Sequence, residues 1–240
     1  MYRPMSRPPL VIYCDFDGTV TQGDVVDILL TELADPSWRA VEAEWEQGRI
    51  GSRECLARQI PLIRGGWPAI EQQLRHIDLD PTFPAFAAWC RAENVPLWIV
   101  SDGLDRVIST LLARAHVTVD GVWANHLDES PTGELSIRFP HPSTDGRCLA
   151  GLCKCQVIER SAGAALRVVI GDGHSDWCWG EKADWLFAKS QLLTYCRAQG
   201  IACSTFEDFD TIRLALTHWL EKTRRPRRPA VPLSALTDVH

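Results

Sequence analysis

Three short apolar runs along the chain stop abruptly at acidic or hydroxyl residues. "VIYC" runs into "DFDGTVTQGD", "LWIV" into "SDG", and "LRVVI" into "GDGHSD". Continuous runs of this length, rich in Val and Ile, predict strands buried on both faces, as in a parallel sheet. Between the first and second runs the period changes from continuous to helical. "GDVVDILLTEL" places Val25, Ile28, Leu29 and Leu33 near helical spacing. "DPSWRAVEAEWEQGRI" offers Asp35 as N-cap, Pro36 at the first helical position and Gly48 as a stop. "SRECLARQIPLI", with Ser52 as cap, and "WPAIEQQLRHI" predict two more helices. No strand pattern interrupts this stretch.

The second half alternates. "PTFPAFAAWCRAEN", "LDRVISTLLARAH", "KCQVIERSAGA" and "DFDTIRLALTHWLEK" read as helices. "VTVDGVWANHL" and "GELSIRFP" read as extended segments, paired as a hairpin through "DESPTG". "ADWLFAKS" and "ACSTFED" offer further short strands. The fold expected is α/β, a doubly wound (Rossmann-like) parallel sheet with a small helical cap inserted after the first strand. Its divisions are a core of residues 1–21 and 81–222, a cap of residues 22–80, and a tail of residues 223–240. The tail is rich in Pro and Arg, has little periodicity, and reads as disordered or surface-bound.

Composition narrows the function classes. The chain has 240 residues and a net charge of −6, which implies no general affinity for nucleic acid. No apolar run approaches the roughly 20 residues of a membrane helix, and "LVIY" is too short for a signal-peptide core. A cytoplasmic protein is expected. The nine cysteines are odd in number and come without an export signal, which argues against a disulfide framework. Cys14, Cys90 and Cys178 lie in apolar contexts and read as core. Cys148, Cys153 and Cys155 fall within eight residues, with His141 seven positions earlier. Thiolates and imidazole suit a structural Zn²⁺. Reduced thiols that merely pack beside the site are the competing reading.

The strand ends bring the chemistry. In an open parallel sheet, ligands bind beyond the carboxyl ends of the strands. Asp15, Asp17, Ser101, Asp102, Asp172 and Asp176 all fall there. So many acids repel one another unless a cation lies among them, and an all-oxygen set suits Mg²⁺ with a phosphate. Asp15 could then attack phosphorus. Asp17 could protonate the leaving oxygen and later activate water. Gly18 permits a tight turn, Thr19 and Ser101 can donate to phosphate, and Lys154 supplies a positive charge.

"DFDGT", "SDG", Lys154 and "GDGHSD" together resemble, in order and spacing, the four motifs of the haloacid dehalogenase superfamily of phosphatases, over most of residues 10–220. The insert after the first motif resembles the cap of the phosphoserine phosphatase branch. "CDFDGTVTQGD", "SDGLD", "ANH", "FPHP" and the Cys-rich run before Lys154 most resemble the methionine-salvage phosphatases of that branch, which act on 2-hydroxy-3-keto-5-methylthiopentenyl-1-phosphate, and their relatives. The resemblance implies Asp15 as nucleophile, Asp17 as acid/base with its carbonyl on the metal, and Thr19, Ser101 and Lys154 at the phosphate. It implies Asp15, Asp17, Asp172 and Asp176 as the Mg²⁺ set, and Asp24 and Arg58 at the substrate. Ser175 stands where phosphoserine phosphatases usually have Asn, a departure that bears on substrate.

Blander roles compete at single positions. Trp38, Trp45 and Trp67 read as insert core rather than pocket lining. Trp177 and Trp179 read as packing after the fourth motif. His126 reads as structurally satisfied, and Arg58 is balanced against a surface ion pair. The function expected is Mg²⁺-dependent hydrolysis of a small phosphomonoester through an aspartyl phosphate. The alternatives are phosphoserine as substrate, phosphotransfer on the same scaffold, or a non-catalytic phosphate-binding module. The oligomeric state is left open.

Overall fold

The structure is a computed structural model, and it describes residues 9–144, 146, 148–161 and 165–224. Strand β1 (Leu10–Cys14) is buried along its whole length. It is followed by α1 (Val25–Leu33), α2 (Trp38–Glu46), α3 (Ser52–Gln59) and α4 (Gly66–Leu74). Then come α5 (Phe83–Ala92), β2 (Leu97–Leu104), α6 (Asp105–Arg114), β3 (Gly121–Glu129) and β4 (Leu135–Arg138). The chain continues through α7 (Lys154–Ser161), β5 (Leu166–Gly171), α8 (Trp177–Gly180), β6 (Trp185–Ala188), α9 (Ser190–Gln199), β7 (Ser204–Thr205) and α10 (Phe209–Arg224).

The strands form one seven-stranded sheet in the order β4-β3-β2-β1-β5-β6-β7. All neighbours are parallel except the β3–β4 hairpin. β1 lies at the centre, where the strand order reverses. Cys14 pairs with Ile99 on one side and Ile170 on the other. This register brings the ends of β1, β2 and β5 to one edge, so that the residues after them open into the same crevice.

Alternation along β1 feeds two cores. Leu10, Ile12 and Cys14 pack on one face with Phe83, Phe86, Phe209 and the helices around them. Val11 and Tyr13 pack on the other with Val157, Ile158, Trp179 and Leu192. The insert shares the first of these cores through Val25, Leu29, Ile60, Ile70 and Leu74. Its two ends meet at a neck: Thr21 bridges antiparallel to Leu79, and the Asp80 N–H donates to the Val20 carbonyl at 2.7 Å.

Several local expectations need correction. Ser52 is the first residue of α3 rather than its cap, which is Gly51. α2 starts at Trp38, and Asp35 instead closes a turn by accepting from the Ser37 N–H and hydroxyl. α9 has no counterpart in the sequence reading. α10 runs to Arg224, two residues into the expected tail. The rest of that tail lies outside the described residues. Cys14 and Cys90 are buried, but Cys178 is exposed. Trp38 and Trp67 are buried as insert core, whereas Trp45 is half-buried, with its ring edge-on to His174 at 6.2 Å. His126 is held by Asp105, with Nδ1 2.6 Å from the carboxylate. Among the described residues no helix is long and apolar enough to cross a membrane.

Candidate active site

Asp15 follows β1 directly, and its N–H donates to the Ile170 carbonyl at 2.9 Å. Its carboxylate is buried beside Lys154 and Asp176. Lys154 Nζ donates to Asp15 Oδ1 at 2.6 Å, to Asp176 Oδ1 at 2.7 Å and to Ser175 Oγ at 3.1 Å. The ammonium also lies 4.9 Å from the Trp179 ring centroid. Burial alone would push the lysine pKa down. The two carboxylates outweigh it and hold the pKa well above the ordinary value, so Lys154 is charged. Asp15 moves the other way from a typical ion-paired acid. Burial, and then the neighbouring Asp176, raise it well above the carboxylate range despite the lysine.

The oxygens of Asp15, Asp172 and Asp176 lie within 4.8 Å of one another, the one such group of three or more ligating side chains among the described residues. If all three were ionised, they would exceed the one ammonium by two negative charges, and the donors are all hard oxygens. That charge and chemistry fit Mg²⁺. Asp176 is fixed beneath the group: its Oδ2 accepts from the Asp172 and Gly173 N–H groups at 3.0 and 3.1 Å. Asp172 Oδ1 accepts from the buried Thr19 hydroxyl at 2.9 Å. Burial, and then Asp176, raise its pKa.

The turn after β1 separates the two motif aspartates. The N–H groups of Thr19, Val20 and Thr21 all donate to the Phe16 carbonyl, at 3.2, 2.8 and 3.1 Å. Gly18 sits inside this turn with φ +73°, and a Cβ there would lie 2.5 Å from Asp172 Oδ2. The turn sends Asp17 away from the lysine. Asp17 Oδ1 accepts from the Val25 N–H at 3.0 Å, and Oδ2 accepts from the Ser101 hydroxyl at 3.1 Å. Burial and the charge of Asp24 push the Asp17 pKa up to about 7. A carboxyl of that pKa can both give and take a proton near neutral pH.

Asp24 caps α1, accepting from the Asp27 N–H at 3.1 Å. Solvent reaches it, yet protein crowds it enough that burial, opposed by its backbone donors, raises its pKa. Arg58 is engaged within the insert. Both its terminal nitrogens donate to Glu44 at 2.9 Å, with Glu54 at 3.5 Å.

The cysteine expectation changes in its membership. Cys153 and Cys155 Sγ are 3.3 Å apart, but the His141 ring packs against Trp123, with centroids 4.7 Å apart. The His141 backbone carbonyl accepts from the Cys153 N–H at 2.9 Å. Cys148 meets both the Cys178 and the Cys153 thiols, and the Cys178 contact is the largest of the influences that lower its pKa to about 6. The four sulfurs thus form one connected cluster, Cys148 meeting Cys178 and Cys153, and Cys155 meeting Cys153 and lying near Cys178. The sequence reading also missed Lys189, whose Nζ donates to the Thr19 carbonyl at 3.3 Å. The signal was present: Lys189 follows the apolar run of β6, at the same edge as the other strand ends.

Comparison with known proteins agrees with this geometry. The family model described as haloacid dehalogenase-like hydrolase matches residues 12–181. A 2-hydroxy-3-keto-5-methylthiopentenyl-1-phosphate phosphatase of Geobacillus kaustophilus is 31% identical, covering 83% of this chain and 92% of its own. The protein of the same name from Brevibacillus brevis is 30% identical, covering 85% and 94%. Among solved structures, a phospho-aspartyl intermediate analogue of phosphoserine phosphatase superposes with a TM-score of 0.65 at 19% identity, covering 88% of this chain and 99% of that one. That likeness supports the fold. With the motifs, the sheet and the family match in agreement, the chain belongs to the haloacid dehalogenase-like hydrolases, on their phosphatase side.

Proposed function

We propose that the protein hydrolyses a small phosphomonoester in two steps through an aspartyl phosphate on Asp15. One observation carries the reading: Asp15 is buried at the end of the central strand, between a charged lysine and two further carboxylates. An Asp15 oxygen bonds phosphorus while the ester P–O bond breaks, and Asp17 gives its proton to the departing alkoxide. Water then attacks phosphorus. Asp17 takes a proton from it, inorganic phosphate leaves, and Asp15 is regenerated. Lys154, Ser101 and Thr19 hold the phosphoryl oxygens. Asp15, Asp172, Asp176 and the Asp17 carbonyl would hold Mg²⁺, which when bound screens phosphoryl charge from the attacking carboxylate.

The helical segment within residues 22–80 acts as a lid that excludes bulk water. Asp24, at its base, faces the substrate. Arg58 would have to leave Glu44 to join it. The names of the curated relatives favour a methionine-salvage enol phosphate as substrate, and phosphoserine is the alternative. Zinc at the cysteines is a separate part of the proposal. Cys148, Cys153 and Cys155 would have to draw closer together, with Cys178 in place of His141. Elemental analysis of protein purified without added metal decides it. Near one zinc per chain, lost in Cys153→Ser, supports the site, and zinc-free, active protein removes it.

The test of the main reading is phosphate release from para-nitrophenyl phosphate and from a panel of phosphorylated metabolites. No release from any of them, with Mg²⁺ present, defeats it. A phosphorylated alcohol formed in place of free phosphate would assign phosphotransfer instead.

A further inference from the structure

Asp102 follows Ser101 on β2, and the reaction described above gives it no part. Its carboxylate joins three segments. Oδ1 accepts from the Leu152 N–H at 2.7 Å and from Asn125 Nδ2 at 3.0 Å. Oδ2 accepts from the Ser52 hydroxyl at 2.5 Å. Asn125 is fully buried on β3, and its Nδ2 also donates to the Asp102 carbonyl at 2.5 Å. Leu152 stands two residues before Lys154, and Ser52 opens α3 in the insert.

The surroundings are packed to match. The Arg53 N–H donates to the Leu149 carbonyl at 3.2 Å, and Gly51 meets Leu149 so closely that no side chain fits. A Cβ on Gly151 would lie 2.7 Å from both Asp102 Oδ1 and the Phe139 ring. The insert, the loop leading to Lys154 and the end of β2 thus converge on one carboxylate.

We infer that Asp102 is a positioning residue, fastening the insert through Ser52 and the lysine loop through Leu152 to the strand that carries Ser101. Two acceptor oxygens take donors arriving from different directions, which no hydroxyl or apolar side chain can do. Without them the Leu152 N–H loses its acceptor inside the protein, and Asn125 Nδ2 keeps only the Asp102 backbone carbonyl. Lys154 then loses the restraint on its approach to Asp15, and displacements of about 1 Å can cost roughly 100-fold in rate. An asparagine keeps one acceptor for Leu152 and Asn125. Its Nδ2 can donate to Ser52 Oγ, which is able to accept. Asparagine should therefore rescue what alanine loses.

This inference rests on the phosphatase reading, and the experiment separates the two. Full-length wild type, Asp102→Ala, Asp102→Asn and Ser52→Ala are compared by kinetics on para-nitrophenyl phosphate with saturating Mg²⁺ and by amide hydrogen exchange. Asp102→Ala should lower kcat by about tenfold or more, with faster exchange over residues 148–153. Asp102→Asn should stay within about threefold of wild type. Ser52→Ala should raise KM more than it lowers kcat and speed exchange at the start of α3. Wild-type kcat in Asp102→Ala, unchanged loop exchange, or an asparagine variant as poor as alanine would overturn the role. Should Asp102→Ala not fold, unchanged α3 exchange in Ser52→Ala would overturn it alone. A wild type inactive on every phosphomonoester ends the phosphatase reading, and the exchange comparison still decides the junction.

Discussion

Lys154 Nζ lies 2.6 Å from Asp15 Oδ1, and both side chains are buried. A charge placed there is tolerable only because the other answers it. Lys154→Ala should therefore destabilise the metal-free protein by about 3–5 kcal/mol, the usual result of stranding a buried charge. Added Mg²⁺ should restore part of that loss, since a dication can answer the same carboxylates. Thermal melts with and without Mg²⁺ check this. A variant as stable as wild type without metal would show that Asp15 and Asp176 do not need the lysine.

Asp15→Asn should keep the fold and lose turnover by a factor of about 1,000 or more, because an amide cannot form the acyl phosphate. Circular dichroism and phosphate release on the purified variant test both halves. More than a trace of wild-type hydrolysis would remove Asp15 as nucleophile.

Asp17→Asn separates chemistry from architecture. Its Oδ1 can still accept from the Val25 N–H, so the start of α1 should hold. The proton donor is lost, and kcat should fall about 100- to 10,000-fold. Full kcat with weakened Mg²⁺ dependence would assign Asp17 to the metal alone.

Activity should require Mg²⁺ and be inhibited by Ca²⁺. Mg²⁺ holds a small octahedral shell, whereas Ca²⁺ takes more and longer oxygen contacts. The larger ion could engage both Asp15 oxygens and leave none to attack. Rates measured after chelation and readdition of each ion decide this, and equal rates with the two would contradict it.

Gly18→Ala combines a φ of +73° with a Cβ 2.5 Å from Asp172 Oδ2. Backbone strain alone should cost about 1 kcal/mol or more. Displacement of Asp172 should also raise the Mg²⁺ concentration needed for half-maximal rate. A titration identical to wild type would mean that this turn does not shape the metal group.

Arg58→Ala should barely move activity, because its guanidinium is paired with Glu44 at the surface. Such pairs contribute at most about 1 kcal/mol. A tenfold rise in KM would instead restore Arg58 as a substrate contact reached after rearrangement.

The strand ends were legible because burial on both faces leaves continuous apolar runs, and the polar residues that break them mark the functional edge. β1 and β5 show this most plainly. α9 was not legible because it buries little more than Leu192 and Cys196, too few positions to set a helical period. Contacts such as Ser52 to Asp102 and Cys148 to Cys178 join residues that spacing does not relate. They exist only once the insert and the lysine loop are folded against the sheet. His141 shows a similar effect: its carbonyl accepts from the Cys153 N–H, while its ring packs against Trp123.

The pairing of Thr21 with Leu79 has a consequence for how such a chain can diversify. The insert's two ends are already stitched together beside the core, so almost any closed excursion could begin and finish there without shifting β1 or α5. Ordering its interior is the insert's own thermodynamic problem, because bringing the ends together adds little with length. Recombination at this neck could exchange one insert for another and leave the strand ends of the core as they are.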